Sequence, residues 1–416
     1  MKALVYNLNP LGWAACKLLR PLWPGCITSG LGGLRYGEVS PPPLPGPEWV
    51  LCRTILGGIC GTDAAILQQR QRPDSFLQGF TTLPAVLGHE NVAVVDHTGP
   101  AVDASWRGRR VCVEPTLCCR VRGISPPCKP CQAGHLGACE NFSASGLGDS
   151  HLPPGTSIGY CGAVGGSWGQ YFAAHISQLV PLGDGLPDEL AILTDPLACG
   201  LHAALRPTLG PSQRILVYGG GILGLAVTWA LRATGFGGRV EVIARHEHQA
   251  KLARQLGADD VLRLPRAKIE QYEYIAARTG ARVVRARLGG VMLSGGYEVV
   301  FDCVGSPESV QDSLRWAAGR GQVVLVGTGD GRGADLTAAW FSELKILGAY
   351  GRSLESFAGR SIGSYQLTHE LMAASAGALR PLLTHVVPLE DYRHALTLAM
   401  DKAGSGSVKV AFRHEP

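Results

Sequence analysis

The strand-like run Ile215-Leu216-Val217-Tyr218 passes directly into Gly219-Gly220-Gly221-Ile222-Leu223-Gly224 and then into a helical pattern. This order constrains the chain more than any other feature, because a G-x-G-x-x-G turn between a buried strand and a helix suits the pyrophosphate of a dinucleotide. Gly219 permits the tight turn, Gly221 lets backbone approach the phosphates, and Gly224 allows helix and strand to pack closely. Ile222 and Leu223 open the helix, whose free N–H groups face the anion. Between residues 196 and 347, apolar strands at 215–218, 240–243, 299–301 and 323–326 alternate with helices at 222–234, 249–256 and 307–318. That is the rhythm of a doubly wound parallel sheet. Residues 263–296 read as an Arg-rich linker with a helix around 272–279.

About twenty residues past the last glycine, a carboxylate would take the ribose hydroxyls of NAD. The second strand ends instead at Ala244, followed by Arg245 and His246. A small side chain beside a guanidinium leaves room and charge for a 2′-phosphate, so NADP is expected over NAD.

A chain of 416 residues has room for two or three cores. With 46% apolar and only 17% charged residues it buries enough surface for globular folding, which argues against wholesale disorder. From residue 1 to about 178, short apolar or β-branched runs at 48–55, 91–95, 110–113 and 170–174 alternate with Gly and Pro turns, as in an irregular, mostly β domain. Residues 8–37, with Trp13 and Trp23, fit no period and read as an inserted surface excursion. After Gly348 the pattern loosens and the chain is expected to return to the first domain.

The net charge of +5 is spread without a block of like charge, which gives no support to nucleic-acid or membrane-surface binding. The opening Met1-Lys2-Ala3-Leu4-Val5-Tyr6 reads as a strand and not as a signal peptide. The most apolar run, 215–231, is interrupted by glycines and too short for a comfortable membrane span. A soluble, cytoplasmic protein is expected. Thirteen cysteines are too few for a disulfide scaffold, but Cys118, Cys119, Cys128, Cys131 and Cys139 crowd one stretch, the look of a metal knuckle in a reduced compartment. The remaining cysteines, including Cys52, Cys112, Cys161, Cys199 and Cys303, read as buried apolar residues.

Gly58-Ile59-Cys60-Gly61-Thr62-Asp63 and Leu87-Gly88-His89-Glu90 supply a thiol, an imidazole and a carboxylate in glycine-flanked motifs. These are the ligand types that hold a catalytic zinc while leaving a position open. Together with the Met-Lys-Ala-Leu-Val opening, the cysteine knuckle, Asp195-Pro196-Leu197 and the glycine loop, in that order, they make the chain resemble the zinc-containing medium-chain dehydrogenase/reductase family over nearly its whole length. That family includes alcohol, polyol, threonine and glucose dehydrogenases.

The resemblance implies an α/β protein with a GroES-like catalytic domain at 1–196 and 348–416 and a doubly wound Rossmann domain at 197–347. It implies zinc on Cys60, His89 and Glu90, with Asp195 or water completing the shell. The family often has the longer Glu where Asp195 stands. Thr62 matches a hydroxyl that bridges the alcohol oxygen to the cofactor ribose. Many relatives carry a relay His five positions after the zinc Cys, where this chain has Ala65, so the proton must leave through other groups or water. A second, structural zinc is implied on Cys119, Cys128, Cys131 and Cys139, with Cys118 as rival first ligand because residues 120–127 stand where relatives have two. Phe301-Asp302-Cys303-Val304-Gly305 resembles a strand and loop near the nicotinamide, though strand-end packing also explains it.

The implied reaction is hydride transfer between NADP(H) and an alcohol, polyol or sugar, a small-molecule substrate, by a homodimer or homotetramer. Two rivals remain at this point. A zinc-free quinone or enoyl reductase on the same fold would lack these ligands, and a non-catalytic NADP-binding protein would show them broken.

Overall fold

A computed structural model of the chain describes residues 1–7, 9–70, 75–143, 150, 152–327 and 332–415. Two compact units divide it: Met1–Asp195 with Leu382–Pro416, and Pro196–Pro381.

The first unit is built on a seven-stranded sheet. Its central strand, Trp49–Gly58, runs longer than the apolar pattern suggests and carries the chain straight to Cys60. It pairs antiparallel with Asn91–Thr98 and with Tyr171–His175, and its last residues pair with Lys409–Arg413, Gly58 opposite Ala411. Arg110–Val113 and Leu179–Pro181 extend one edge, and Leu383–Pro388 lies parallel to Lys409–Arg413 on the other. Inward side chains such as Val50, Cys52, Val111 and Phe172 are fully buried between these strands, the alternation a sheet with one packed face demands.

The excursion is shorter than its irregular sequence suggests, because Leu34–Glu38 pairs antiparallel with Lys2–Tyr6. Leu8, where it begins, lies outside the described residues. Between the two strands are a helix, Pro10–Leu19, and a 3-10 turn, Pro24–Thr28. Pro10 fits the first helical turn, and the Asn9 side chain caps it by accepting from the Gly12 N–H at 2.6 Å.

The second unit holds a six-stranded parallel sheet in the order Asp260–Leu262, Arg239–Ile243, Arg214–Tyr218, Tyr297–Asp302, Ala317–Leu325, Lys345–Gly348. The central strands, rich in Val and Ile and largely buried, suit this arrangement. Strand order reverses at Arg214–Tyr218, and the glycine loop leaves the C-terminal end of that strand, the place where open α/β sheets bind ligands. The Arg-rich linker proves structured, as helix Lys268–Thr279 and the hairpin Arg282–Arg285 with Val291–Ser294.

Residues 348–381 belong to the second unit, a correction to the expected return at 348. A buried carboxylate explains it: Glu355 accepts from Ser364 Oγ at 2.6 Å and meets His202 Nδ1 at 2.9 Å, which ties the segment to helix Thr194–Leu205. Hydrophobic periodicity carries no trace of such a network. Among the described residues, no helix is long and apolar enough to cross a membrane.

Candidate metal and nucleotide sites

Cys60 follows the central strand and caps helix Gly61–Leu67. Its N–H donates to Asp63 Oδ2 at 3.0 Å. Asp63 is fully buried; its other oxygen accepts from the Tyr160 hydroxyl at 2.7 Å and lies 3.8 Å from His89 Nδ1. One carboxylate therefore fixes the Cys60 turn by a hydrogen bond and places its negative charge beside the imidazole. The metal-ligating atoms of Cys60, His89 and Glu90 all lie within 4.8 Å of one another. Asp195 stands outside that group, although its carboxylate acts electrostatically on His89 and Glu90. Burial alone would drive His89 towards neutrality. Cys60, Asp63 and Asp195 outweigh it and carry the imidazole up to about 10, so anionic groups dominate the potential around it.

The sequence reading missed Lys409. Its ammonium donates to both Glu90 oxygens at 2.6 Å and to the Ile59 carbonyl at 3.2 Å, with both side chains 1% exposed. Burial works against the charged lysine, but Glu90 and Cys60 prevail and hold it protonated. Glu90 thus faces the metal cluster while an ammonium neutralises it. Gly58 makes room, since a Cβ there would sit 2.0 Å from Glu90 Oε2. The available signal was a single lysine inside the apolar run Val408-Lys409-Val410-Ala411-Phe412. Lys409→Met should destabilise the protein by about 3–5 kcal/mol by leaving a buried carboxylate uncompensated. Denaturant unfolding measures this, and Lys409→Arg should recover part of the loss. Thr62 is half-buried in the first turn of the helix, and Ala65 further along offers no imidazole.

The knuckle converges on Cys119, Cys128, Cys131 and Cys139, without Cys118. The Cys119 sulfur lies 3.6 Å from that of Cys139 and receives the Cys128 N–H at 3.4 Å and Asn141 Nδ2 at 3.0 Å. N–H groups of Glu140 and Asn141 point at Cys128 and Cys139, the donor pattern that stabilises thiolate ligands. The Cys118 thiol lies outside that group, although its interaction with Cys131 draws it down to about 7. The long first gap closes around Arg122. This guanidinium is fully buried and donates to the carbonyls of Leu117, Leu152, Pro153 and Gly155 at 2.8, 3.1, 3.0 and 2.5 Å. Cys131→Ser should lower zinc content from about two per chain to about one and reduce thermal stability, because closed thiolate sites couple metal binding to folding. Metal analysis alongside calorimetry tests this.

In the glycine loop, Gly219 takes a φ of +116°, which a side chain would strain. A Cβ on Gly224 would lie 1.8 Å from the Gly219 carbonyl, so that glycine permits the helix to approach the strand. Gly221 caps helix Ile222–Ala233, and a Cβ there would meet nothing within 4 Å, leaving the N-terminal N–H groups of Ile222 and Leu223 approachable. Ala244 is buried and Arg245 exposed. Nearby acids on this stretch have partners: Glu247 pairs with Arg263 and Arg254, and Glu241 with Arg239, Arg278 and the Tyr297 hydroxyl. Asp302 accepts from the N–H groups of Val304 and Gly305, each at 3.0 Å, so strand-end packing accounts for that loop.

Comparison with known proteins agrees with both halves. The chain matches the Alcohol dehydrogenase GroES-like domain over residues 46–184 and the Zinc-binding dehydrogenase family over residues 223–363. The chain belongs to the zinc-containing medium-chain dehydrogenase/reductase family. It is 25% identical to an L-idonate 5-dehydrogenase of Vitis vinifera over 93% of this chain and 94% of that one. It is 28% identical to an L-threonine 3-dehydrogenase of Rhizobium johnstonii over 89% and 93%. Among solved structures, a putative zinc-binding dehydrogenase from Sinorhizobium meliloti bound to NADP superposes with a TM-score of 0.66 at 24% identity, covering 91% of this chain and 95% of that one. This member of the family is a zinc-dependent, NAD(P)-dependent alcohol dehydrogenase-like oxidoreductase.

Proposed function

We propose that the chain transfers a hydride between NADP(H) and the hydroxyl or carbonyl carbon of an alcohol, polyol or sugar, with Cys60, His89 and Glu90 as the catalytic zinc site. The observation that carries this reading is the convergence of those three donors beside a buried Asp63 and Lys409. Both rival readings need the donors lost or scattered. Zinc supplies a Lewis acid that polarises the substrate oxygen, and NADP supplies the hydride acceptor or donor.

The chain's own residues do the rest. Asp63 holds the Cys60 turn and acts electrostatically on His89, Lys409 offsets the charge of Glu90, and Asp195 acts on the ligands at longer range or through water. Thr62 takes the substrate's hydroxyl proton and passes it to solvent, since Ala65 provides no relay. Gly219, Gly221 and Gly224 shape the pyrophosphate cradle, Ile222 and Leu223 contribute helix N–H groups, and Ala244 with Arg245 admits the 2′-phosphate. Cys119, Cys128, Cys131 and Cys139 hold a structural zinc.

The L-idonate and sorbitol dehydrogenases among the relatives support a polyol-type secondary hydroxyl. A homodimer or homotetramer is supported by exposed Trp340, Phe341 and Ile346 on and near the edge strand Lys345–Gly348. Two cysteine-bearing metal sites suit a reducing, cytoplasmic setting. Reduced-nicotinamide formation over a panel of alcohols, polyols and aldoses tests the substrate class. Turnover on a secondary hydroxyl is expected, and reduction confined to quinones or enoyl compounds would contradict the reading.

A further inference from the structure

Cys16, in helix Pro10–Leu19, and Cys26, in the turn Pro24–Thr28, bring their sulfurs to 3.0 Å, about 1 Å beyond an S–S bond. The Cys26 thiol also reaches the Cys16 carbonyl at 3.4 Å. Both are fully buried and form, with Ile27, a cluster of their own, covered by Leu31 and Met400. Other close sulfur pairs, Cys119 with Cys139 and Cys128 with Cys139, lie in the metal lobe. We propose that Cys16 and Cys26 form a reversible disulfide site that staples the excursion's helix to its turn, independent of either metal cluster.

The excursion is well placed to open locally. Its core is three buried residues, and Leu11, Leu18 and Leu22 face solvent. It is tied to the body by Arg20 Nη1 donating to the Gln68 carbonyl at 2.9 Å and Gln69 Nε2 donating to the Trp13 carbonyl at 3.0 Å. Gln68 and Gln69 directly follow helix Gly61–Leu67, whose first turn carries Thr62. While the excursion is closed, burial raises the Cys16 thiol to about 12 and keeps it unreactive. Opening exposes the pair to a small-molecule disulfide such as oxidised glutathione. One deprotonated cysteine attacks it, forming a mixed disulfide and releasing one glutathione. The second cysteine then attacks the protein-side sulfur and releases the other. Two protein thiols are oxidised, one glutathione disulfide is reduced to two thiols, and the two protons pass to the released glutathiones. A thiol reductant reverses the sequence. Closure of the short loop restrains the excursion against reopening.

The test uses the full-length, zinc-loaded protein, equilibrated with oxidised glutathione, alkylated and digested with trypsin. Lys17 lies between the cysteines, so cleavage there leaves two peptides joined only by the proposed bond. The expected result is that cross-linked pair, a mass lower by about 2 Da, reversal by dithiothreitol, and several-fold slower amide exchange across Pro10–Leu19 in the oxidised form. Cys16→Ser and Cys26→Ser should each remove the cross-link. Separate recovery of alkylated Cys16 and Cys26 under conditions that oxidise the denatured chain, or a stable glutathione adduct on one without cross-linking, would overturn the proposal.

Discussion

Cys60→Ser or His89→Ala should reduce turnover by roughly 1,000-fold or more and leave NADP affinity within about two-fold of wild type. The size of the loss follows from the Lewis acid, whose polarisation of the substrate oxygen contributes several kcal/mol, each ~1.4 kcal/mol being a factor of ten in rate. Its selectivity follows from placement: both ligands belong to the first compact unit and the glycine loop to the second. Steady-state kinetics with a separate cofactor-binding titration distinguish loss of chemistry from loss of fold. Glu90 should behave differently from these two. Because Lys409 engages both of its oxygens, Glu90→Gln leaves a buried ammonium short of its counter-charge and should lower stability as well as rate.

Arg245→Ala should weaken NADP by roughly 10- to 100-fold and leave NAD almost unchanged. A 2′-phosphate brings about two negative charges, and a guanidinium meets it with forked, charge-assisted hydrogen bonds whose loss costs about 1.5–3 kcal/mol. Ala244→Asp should move preference towards NAD, by supplying an acceptor for ribose hydroxyls and repelling the phosphate. The acids already in this region, Glu241 and Glu247, have cationic partners, so the substitution introduces a carboxylate that nearby residues do not already neutralise. A kcat/KM for the wild type that favours NAD would show that Arg245 points away from the ribose.

The glycine loop was legible because its chemistry is local: turn, cradle and helix cap are consecutive residues, and the φ of Gly219 and the tight contact at Gly224 match the roles their spacing implies. Cys60, His89 and Glu90 were legible as motifs, and two of the motif glycines, Gly58 and Gly88, are ones the packing needs. Their supporting groups were not. Lys409 is 319 positions from Glu90 and reaches it only because Lys409–Arg413 pairs with the end of Trp49–Gly58. The hydrogen bond from Tyr160 to Asp63 spans 97 positions. That the sulfurs of Cys119, Cys128, Cys131 and Cys139 cluster without Cys118 depends on how the inserted residues fold, which spacing alone does not show. Likewise the unit boundary near Pro381 follows from a buried Glu355 whose partners, His202 and Ser364, leave no periodic mark. Cys16 and Cys26 read singly as apolar residues, and only the fold of helix onto turn brings them together.

Removal and return of zinc tests the central claim most directly. Dialysis against a chelator, followed by stepwise zinc addition, should first restore the metal held by the cysteine lobe or the Cys60 cluster according to affinity. Dehydrogenase activity should track occupancy of the Cys60 cluster, reaching its plateau near two zinc ions per chain. In the Cys131→Ser protein the same plateau should fall near one ion. Full NADP-dependent turnover in protein holding less than about a tenth of an equivalent of metal would contradict a zinc-dependent mechanism at Cys60, His89 and Glu90.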